Sequence, residues 1–141
     1  MRKTYGDNVR IVWKNLPLDF HKDASLAAVA ALAANDQGKF WEYHDKLFEH
    51  QPKIQRPNLV QYARDLNLDM SQFEQALSTL KGHQLIEADK AEAKALGVTG
   101  TPGFFVNGHF LSGAKPFDEF AKVIDAELTR LKLPVPARKQ T

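Results

Sequence analysis

Residues 97–108 constrain the fold of this chain more than any other stretch of its sequence. Gly97 suits the position that follows a helix, Thr101-Pro102 predicts a turn, and the apolar residues 104–106 predict a strand. Because proline has no backbone N–H, a proline placed just before a strand belongs at its first position or in a special turn. A helix, a sharp turn and a strand therefore follow one another here.

A hairpin is predicted directly after this turn. Residues 104–106 and 109–111 are apolar, and Asn107-Gly108 separates them. Asn-Gly between two such segments is the strongest short-range hairpin signal, because both residues accept the positive φ of a type I′ turn. We expect Phe104-Phe105 to fill the core of the sheet. Alternating apolar residues predict a further, partly exposed strand over residues 9–16.

The middle of the chain predicts helices. Apolar residues at helical spacing, with capping residues before them, indicate helices over residues 24–34, 39–50, 59–66, 72–80 and 83–96. Pro116 opens a last helix. His44 is expected at a helix-packing edge beside Trp41 and Phe48. This crossover is far longer than a minimal βαβ connection, so we predict an inserted helical subdomain.

Composition excludes several classes of function. The 19 Lys and Arg against 17 Asp and Glu are scattered and give a net charge of +2, which does not indicate a nucleic-acid partner. No apolar run approaches membrane-spanning length, and the N-terminus does not resemble a signal peptide. No metal site is expected, because neither H-x-x-x-H nor H-E-x-x-H spacing occurs among His21, His44, His50, His83 and His109.

Three segments together resemble the DsbA-like branch of the thioredoxin-fold proteins. Gly-Val-Thr-Gly-Thr-Pro-x-Phe-Phe-Val-Asn-Gly over residues 97–108 is similar to the cis-proline loop and hairpin of that family. Residues 37–48 resemble a helix of its inserted helical subdomain, and residues 5–12 resemble the strand after its active-site helix. With the Gly-Thr-Pro turn and the strand that starts after it, the resemblance predicts a cis Thr101-Pro102 bond.

The resemblance implies an α/β, thioredoxin-like (DsbA-like) fold with an inserted helical subdomain. Residues 1–18 and 97–133 are expected to form a partial sheet with its closing helix, residues 19–96 the helical insertion, and residues 134–141 a flexible tail. The chain has no cysteine, and nothing in it matches the family's N-terminal strand, its Cys-x-x-Cys turn or most of the following helix. We therefore expect an N-terminally truncated or cysteine-free family member, with residues 2–5 as the last turn of that helix.

Three functions remain open on this basis. The first is a family member without redox activity, since disulfide exchange requires an attacking thiolate and a resolving thiol. The second is a self-associating or peptide-binding module, in which Thr101 and Pro102 bind an extended substrate peptide, as the resemblance implies. The third is a relative of the DsbA-related glutathione transferases and isomerases, whose activating serine would belong to the absent segment. No catalytic residue and no cofactor is predicted.

A homodimer is the predicted assembly. In the family's sheet the strand leading to the dithiol lies between the strands that match residues 9–16 and 104–106. Without it both strands have unpaired edges, and a second copy can cover them. Lysine in place of Ile11 or Phe105 should weaken association. The resemblance suggests the bacterial periplasm or envelope, although the chain itself does not define a location.

Overall fold

The computed structural model describes residues 1–137, which form seven α-helices and one two-stranded sheet. In chain order the elements are α1 (Arg2–Tyr5), a short 3₁₀ helix (Gly6–Asn8), α2 (Ala24–Asn35), α3 (Phe40–Glu49), α4 (Arg56–Asp65), α5 (Met70–Thr79), α6 (His83–Ala95), β1 (Gly103–Val106), β2 (His109–Ser112) and α7 (Phe117–Arg130). Residues 134–137 follow α7 without helix or strand, and the rest of the predicted tail lies outside the described residues.

Two compact units make up the described chain. The hairpin unit consists of residues 1–13 and of the described residues from 98 onward, whereas the helical unit is Lys14–Gly97. The division predicted from the sequence, at residues 18–19 and 96–97, stays a prediction. All five predicted helices of the helical unit are present, although α4 begins before its predicted start, with Pro57 in its first turn.

Helix α2 is the centre of the helical unit. It is rich in alanine, the best helix former, and its small side chains let α3, α4, α5 and α6 approach it closely. The largest fully buried side chains around it include Tyr43, Leu59 and Phe73. The buried Tyr43 hydroxyl donates a 2.9 Å hydrogen bond to the Leu59 carbonyl, which ties α3 to α4.

Gly82 allows α6 to begin against α2. Its φ of +87° is one that side chains rarely adopt, and a Cβ there would lie 2.8 Å from a side-chain carbon of Leu32. Only glycine combines this backbone conformation with this close approach. A second fixed point is Asp89 on α6, which is 4% exposed and accepts hydrogen bonds from the backbone N–H (2.9 Å) and side-chain amide (3.1 Å) of Asn15.

The hairpin unit has a much smaller core than the helical unit. Its buried apolar side chains come from α1 and α7: Tyr5, Phe120, Ala121, Ile124 and Leu128. The Tyr5 hydroxyl donates a 2.8 Å hydrogen bond to the Asp125 carboxylate, so α1 is attached to α7 by a polar contact as well as by packing. Helix α1 also occupies the residues predicted to be the last turn of a helix.

The sheet is an antiparallel hairpin. β1 pairs with β2 in a register that sets Val106 opposite His109 and Gly103 opposite Ser112. Asn107 and Gly108 have φ values of +47° and +89°, as a type I′ turn requires. The predicted hairpin is therefore confirmed.

The predicted strand over residues 9–16 is wrong. Val9 has extended backbone, but these residues lie outside the sheet, whose described strands are β1 and β2. A strand requires a neighbour for its N–H and C=O groups, and the backbone N–H of Asn15 donates instead to the Asp89 carboxylate. Separately, none of the helices between residues 1 and 137 is both long and apolar enough to cross a membrane.

Candidate functional site

The outer edge of β1 exposes backbone hydrogen-bonding groups. In an antiparallel hairpin, residues alternate between those that bond across the ladder and those that point away from it. The Gly113 N–H donates to the Pro102 carbonyl at 2.8 Å, so Pro102 and Phe104 point toward β2. The N–H and C=O groups of Gly103 and Phe105 therefore point outward. We call these groups, with those of Thr101, the open edge of β1.

Thr101 and Pro102 continue this edge beyond the strand. Both residues are exposed, and the peptide bond between them is cis. Within residues 1–137, the backbone N–H and C=O of Thr101 have no hydrogen-bond partner. The two residues named from the sequence as peptide-binding thus lie at the start of the open edge, and an extended chain placed beside it could pair with several residues in succession.

One face of the hairpin carries an uncovered aromatic pair. Gly103, Phe105, Phe110 and Ser112 lie on this face and are all exposed. The rings of Phe105 and Phe110 have centroids 4.9 Å apart, and their exposed fractions are 43% and 45%. Their residues face each other where side chains come closest in an antiparallel pair.

The expectation that Phe104-Phe105 fills the core is therefore wrong. Phe104 lies on the opposite face of the hairpin, where its ring makes an edge-to-face contact with Phe120 at 4.7 Å, yet it remains 39% exposed. Phe105 lies on the uncovered face. The reason is that a two-stranded sheet with one helix on one face cannot enclose the side chains of both faces.

Glu127 fixes the hairpin turn to α7. Its side chain is almost fully buried and accepts hydrogen bonds from Asn107 Nδ2 (3.0 Å), His109 Nε2 (3.3 Å) and Arg130 Nη2 (2.7 Å). The hydrogen bond from Arg130, followed by that from Asn107, lowers the pKa of Glu127 from 4.5 to about 2. The carboxylate is thus charged at neutral pH and joins the hairpin turn to α7.

The helical unit contains a separate polar cleft. It has a volume of about 210 Å³ and is lined in part by Lys22, Ser25 and His83. Lys90, another lining residue, is neutralised by Glu87 at 3.2 Å and Asp19 at 3.6 Å. No group of three potential metal-ligating side chains occurs in the described part of the chain. The cleft combines both charge signs without a buried polar group directed into it.

His44 and His109 make packing or hydrogen-bond contacts with neighbouring side chains. His44 lies against Phe48 at 4.6 Å and Trp41 at 5.4 Å, both on its own helix α3, so its predicted place at a helix-packing edge stays a prediction. His109 donates to Glu127. Sequence reasoning singled out Thr101 and Pro102 for peptide binding and Phe105 for association, but missed Gly103 and Glu127. Gly103 alone had a usable signal, because a glycine within a strand often marks close approach of another backbone.

Comparison with known proteins gives a family match over most of the chain. The family described as DSBA-like thioredoxin domain matches residues 8–125. The chain is 39% identical over 127 residues to the Na(+)/H(+) antiporter NhaA 1 of Salinispora arenicola, a match that covers 89% of this chain and 20% of that protein.

Two further relatives carry similar names. The Na(+)/H(+) antiporter NhaA 3 of Salinispora tropica is 46% identical over 102 residues, which are 72% of this chain and 16% of that protein. The Na(+)/H(+) antiporter NhaA of Herminiimonas arsenicoxydans is 36% identical over 126 residues, 89% of this chain and 20% of that protein. The chain thus spans about a fifth of the length of these curated relatives.

Proposed function

The chain belongs to the DSBA-like thioredoxin domain family, and we propose that within this family it is a redox-inactive module that binds an extended polypeptide. The absence of cysteine supports the first part of this proposal. Thiol–disulfide exchange proceeds by attack of a thiolate on a disulfide sulfur, and neither an attacking nor a resolving thiol is present. No other side chain can replace a thiolate in that reaction.

The open edge of β1 is the observation that supports binding of an extended polypeptide. It presents the outward N–H and C=O groups of Gly103 and Phe105, and Thr101, whose backbone groups have no partner within residues 1–137, precedes them in the chain. An extended polypeptide added to such an edge gains main-chain hydrogen bonds, while side chains on alternate positions meet the two faces of the hairpin. Here one of those faces offers the exposed rings of Phe105 and Phe110.

The redox part is tested with insulin and dithiothreitol. We expect the purified chain to precipitate insulin no faster than buffer, because it cannot form a mixed disulfide. A family member that contains Cys-x-x-Cys serves as the positive control. Turnover that rises in proportion to the concentration of the chain, and survives a further purification step, would contradict redox inactivity.

The binding part is tested by NMR with S-carboxymethylated insulin B chain, an unfolded polypeptide without free thiols. We expect its addition to shift the amide resonances of Thr101, Gly103 and Phe105. Phe105→Pro removes an outward N–H without removing a bond of the hairpin ladder, and should weaken this binding.

Ser112→Pro is the matched control for that variant, since it removes an outward N–H of the opposite edge of the hairpin and leaves the Phe110 ring in place. It carries the same proline strain but leaves the open edge of β1 intact. Equal loss of binding in the two variants, or no amide shift on addition of the B chain, would contradict a peptide site at this edge.

A second candidate function follows from the names of the relatives. The similarity to the antiporter of Salinispora arenicola extends over 89% of this chain. We propose that the chain can act as an accessory domain of a sodium/proton antiporter. The test replaces the matching region of that antiporter with this chain and measures sodium tolerance of cells that lack their own antiporters.

We expect deletion of the matching region to lower sodium tolerance and replacement by this chain to restore it. Membrane levels of all three proteins are measured as the control. A deletion without effect, or a replacement that behaves like the deletion at equal membrane levels, would contradict the accessory role.

A further inference from the structure

Exposed apolar surface is concentrated in the hairpin unit. Ten of the fifteen large apolar side chains that are exposed among residues 1–137 belong to it, although it is the smaller unit. They are Ile11, Val12, Trp13, Phe104, Phe105, Phe110, Phe117, Leu131, Leu133 and Val135. Among them Phe105 and Phe110 are in contact and form an exposed apolar patch on one face of the hairpin, which is typical of an interaction surface.

We propose that β1 of a second copy of this chain occupies the open edge of β1, in a two-fold antiparallel register centred on Phe104. This inference deepens the proposed function, on which it rests, by naming the partner strand. In this register Gly103 lies opposite the partner's Phe105, and Phe105 lies opposite the partner's Gly103. The two hairpins then form one four-stranded antiparallel sheet in the order β2–β1–β1–β2.

Backbone geometry favours this register. The residues whose N–H and C=O groups point outward are Gly103 and Phe105, and the two-fold operation sets each of them opposite the other. Both therefore form hydrogen-bonded pairs, which gives four N–H···O=C bonds between the copies. Phe104 is the centre of the non-hydrogen-bonded pair, where side chains approach most closely, so it meets the partner's Phe104.

Side-chain volumes also favour it. Gly103 has no side chain, and a Cβ at this position would lie 3.0 Å from Val98 and 3.4 Å from the ring of Phe110, so these two side chains already cover the glycine closely. The partner's Phe105 can therefore pack against the Phe110 ring and Val98, which lie over this glycine. The face that is uncovered in one copy thereby becomes a continuous row of four aromatic rings.

The available surface is adequate for a dimer contact. Phe104, Phe105 and Phe110 are 39–45% exposed, which corresponds to roughly 250 Å² of aromatic surface in each copy. A standard interface buries about 800 Å² per partner, of which somewhat more than half is apolar. Three side chains thus provide about half of the apolar contact, and the same unit exposes seven others.

A charge-swap experiment tests the register. Phe105 and the partner's Phe105 are diagonal neighbours, within reach of long side chains. We expect sedimentation equilibrium to give a dimer for the wild-type chain at micromolar concentration. Phe105→Lys and Phe105→Glu should each raise the dissociation constant at least about tenfold through loss of packing and like-charge repulsion. An equimolar mixture of the two variants should associate more tightly than either variant alone, because opposite charges replace the like-charge repulsion.

Phe20→Lys is the matched control, because Phe20 is 78% exposed and belongs to the helical unit. It should leave association unchanged. Circular dichroism of each variant alone checks that it is folded, and tighter association of the mixture is independent of the stability of either variant. Failure of the mixture to associate more tightly than either variant, while the wild-type chain dimerises, would overturn the register.

A wild-type chain that is monomeric at micromolar concentration overturns the dimer altogether. If that monomer still shows amide shifts at Thr101, Gly103 and Phe105 on addition of S-carboxymethylated insulin B chain, the proposed function stands without the dimer. If a charge-sensitive dimer forms, the B chain should compete with it and raise the apparent dissociation constant. Neither dimer nor amide shifts would contradict both.

Discussion

At the scale of single residues, Glu127 connects the hairpin turn directly with α7. It is a nearly buried carboxylate that receives hydrogen bonds from Asn107, His109 and Arg130. A buried charge is tolerable only when its hydrogen bonds are satisfied, and this one is. Loss of Glu127 would therefore leave three polar partners without their shared acceptor.

We predict that Glu127→Gln destabilises the hairpin unit at neutral pH. The stability of the variant should also change less than that of the wild-type chain as the pH is lowered. The pKa of Glu127 is about 2 in the folded chain and 4.5 without these contacts. Because the folded value is the lower one, the charged group contributes its full stabilisation above about pH 4.5. That contribution declines as the pH falls toward 2 and is lost below it.

Urea unfolding at a series of pH values, followed by NMR signals of the hairpin, measures this effect. Glu119→Gln is the matched control on the same helix, since Glu119 is about half exposed and pairs with Lys122 at the surface. Exposed pairs of this kind contribute little to stability. Identical unfolding midpoints for wild type and Glu127→Gln from neutral pH to pH 3 would refute the prediction.

At the scale of elements, the hairpin turn depends on its glycine. Gly108 has a φ of +89°, with no heavy atom within 4 Å of where a Cβ would lie. A side chain there meets only backbone strain, so we predict that Gly108→Ala lowers the free energy of unfolding by about 1–2 kcal/mol. Gly100→Ala is the control, because Gly100 has equal space without a positive φ. Thermal unfolding that gives the same stability for both variants would contradict the prediction.

The elements that could be predicted from the sequence are those encoded by a few neighbouring residues. Asn107-Gly108 encodes the hairpin, and Asp69 encodes the start of α5, where its side chain accepts from the N–H of Gln72 at 3.0 Å. Residues 9–16 have strand-like alternation but no neighbouring strand, and a strand cannot form on pattern alone. The alternation of apolar and polar residues is a local property of a segment, whereas its pairing depends on a second strand elsewhere in the chain.

The candidate site likewise has features that the sequence could predict and features that it could not. Thr101 and Pro102 were identifiable because the turn and the family resemblance both point to them. The exposure of Phe105 was not, because a large apolar residue in a strand normally predicts burial. Whether such a side chain is covered depends on which elements surround the sheet, and here α7 packs against β1 while the face of Phe105 stays open.

At the scale of the whole molecule, the buried apolar side chains of this DSBA-like domain are distributed unevenly between its two units. The helical unit has a core of fifteen buried apolar residues, whereas the hairpin unit has five. Each fully buried Val, Leu, Ile or Phe side chain contributes roughly 1.5–3 kcal/mol relative to its exposed state, and an alanine contributes less because it buries a single methyl group. The helical unit therefore has far more apolar burial with which to offset the conformational entropy of its backbone.

We predict that this difference appears in native-state hydrogen exchange. The amides of α2 around Val29 and Ala30, which are fully buried, should exchange most slowly. The inward amide of Phe104 should exchange faster, because opening the hairpin unit exposes few buried side chains. Mass spectrometry of peptic fragments under conditions of rapid reclosing measures both. Low protein concentration isolates the single chain, since a dimer at the β1 edge would slow exchange in the hairpin. Equal protection in both units at every concentration would mean that they open as one cooperative body, with the hairpin unit stabilised by more than its own small core.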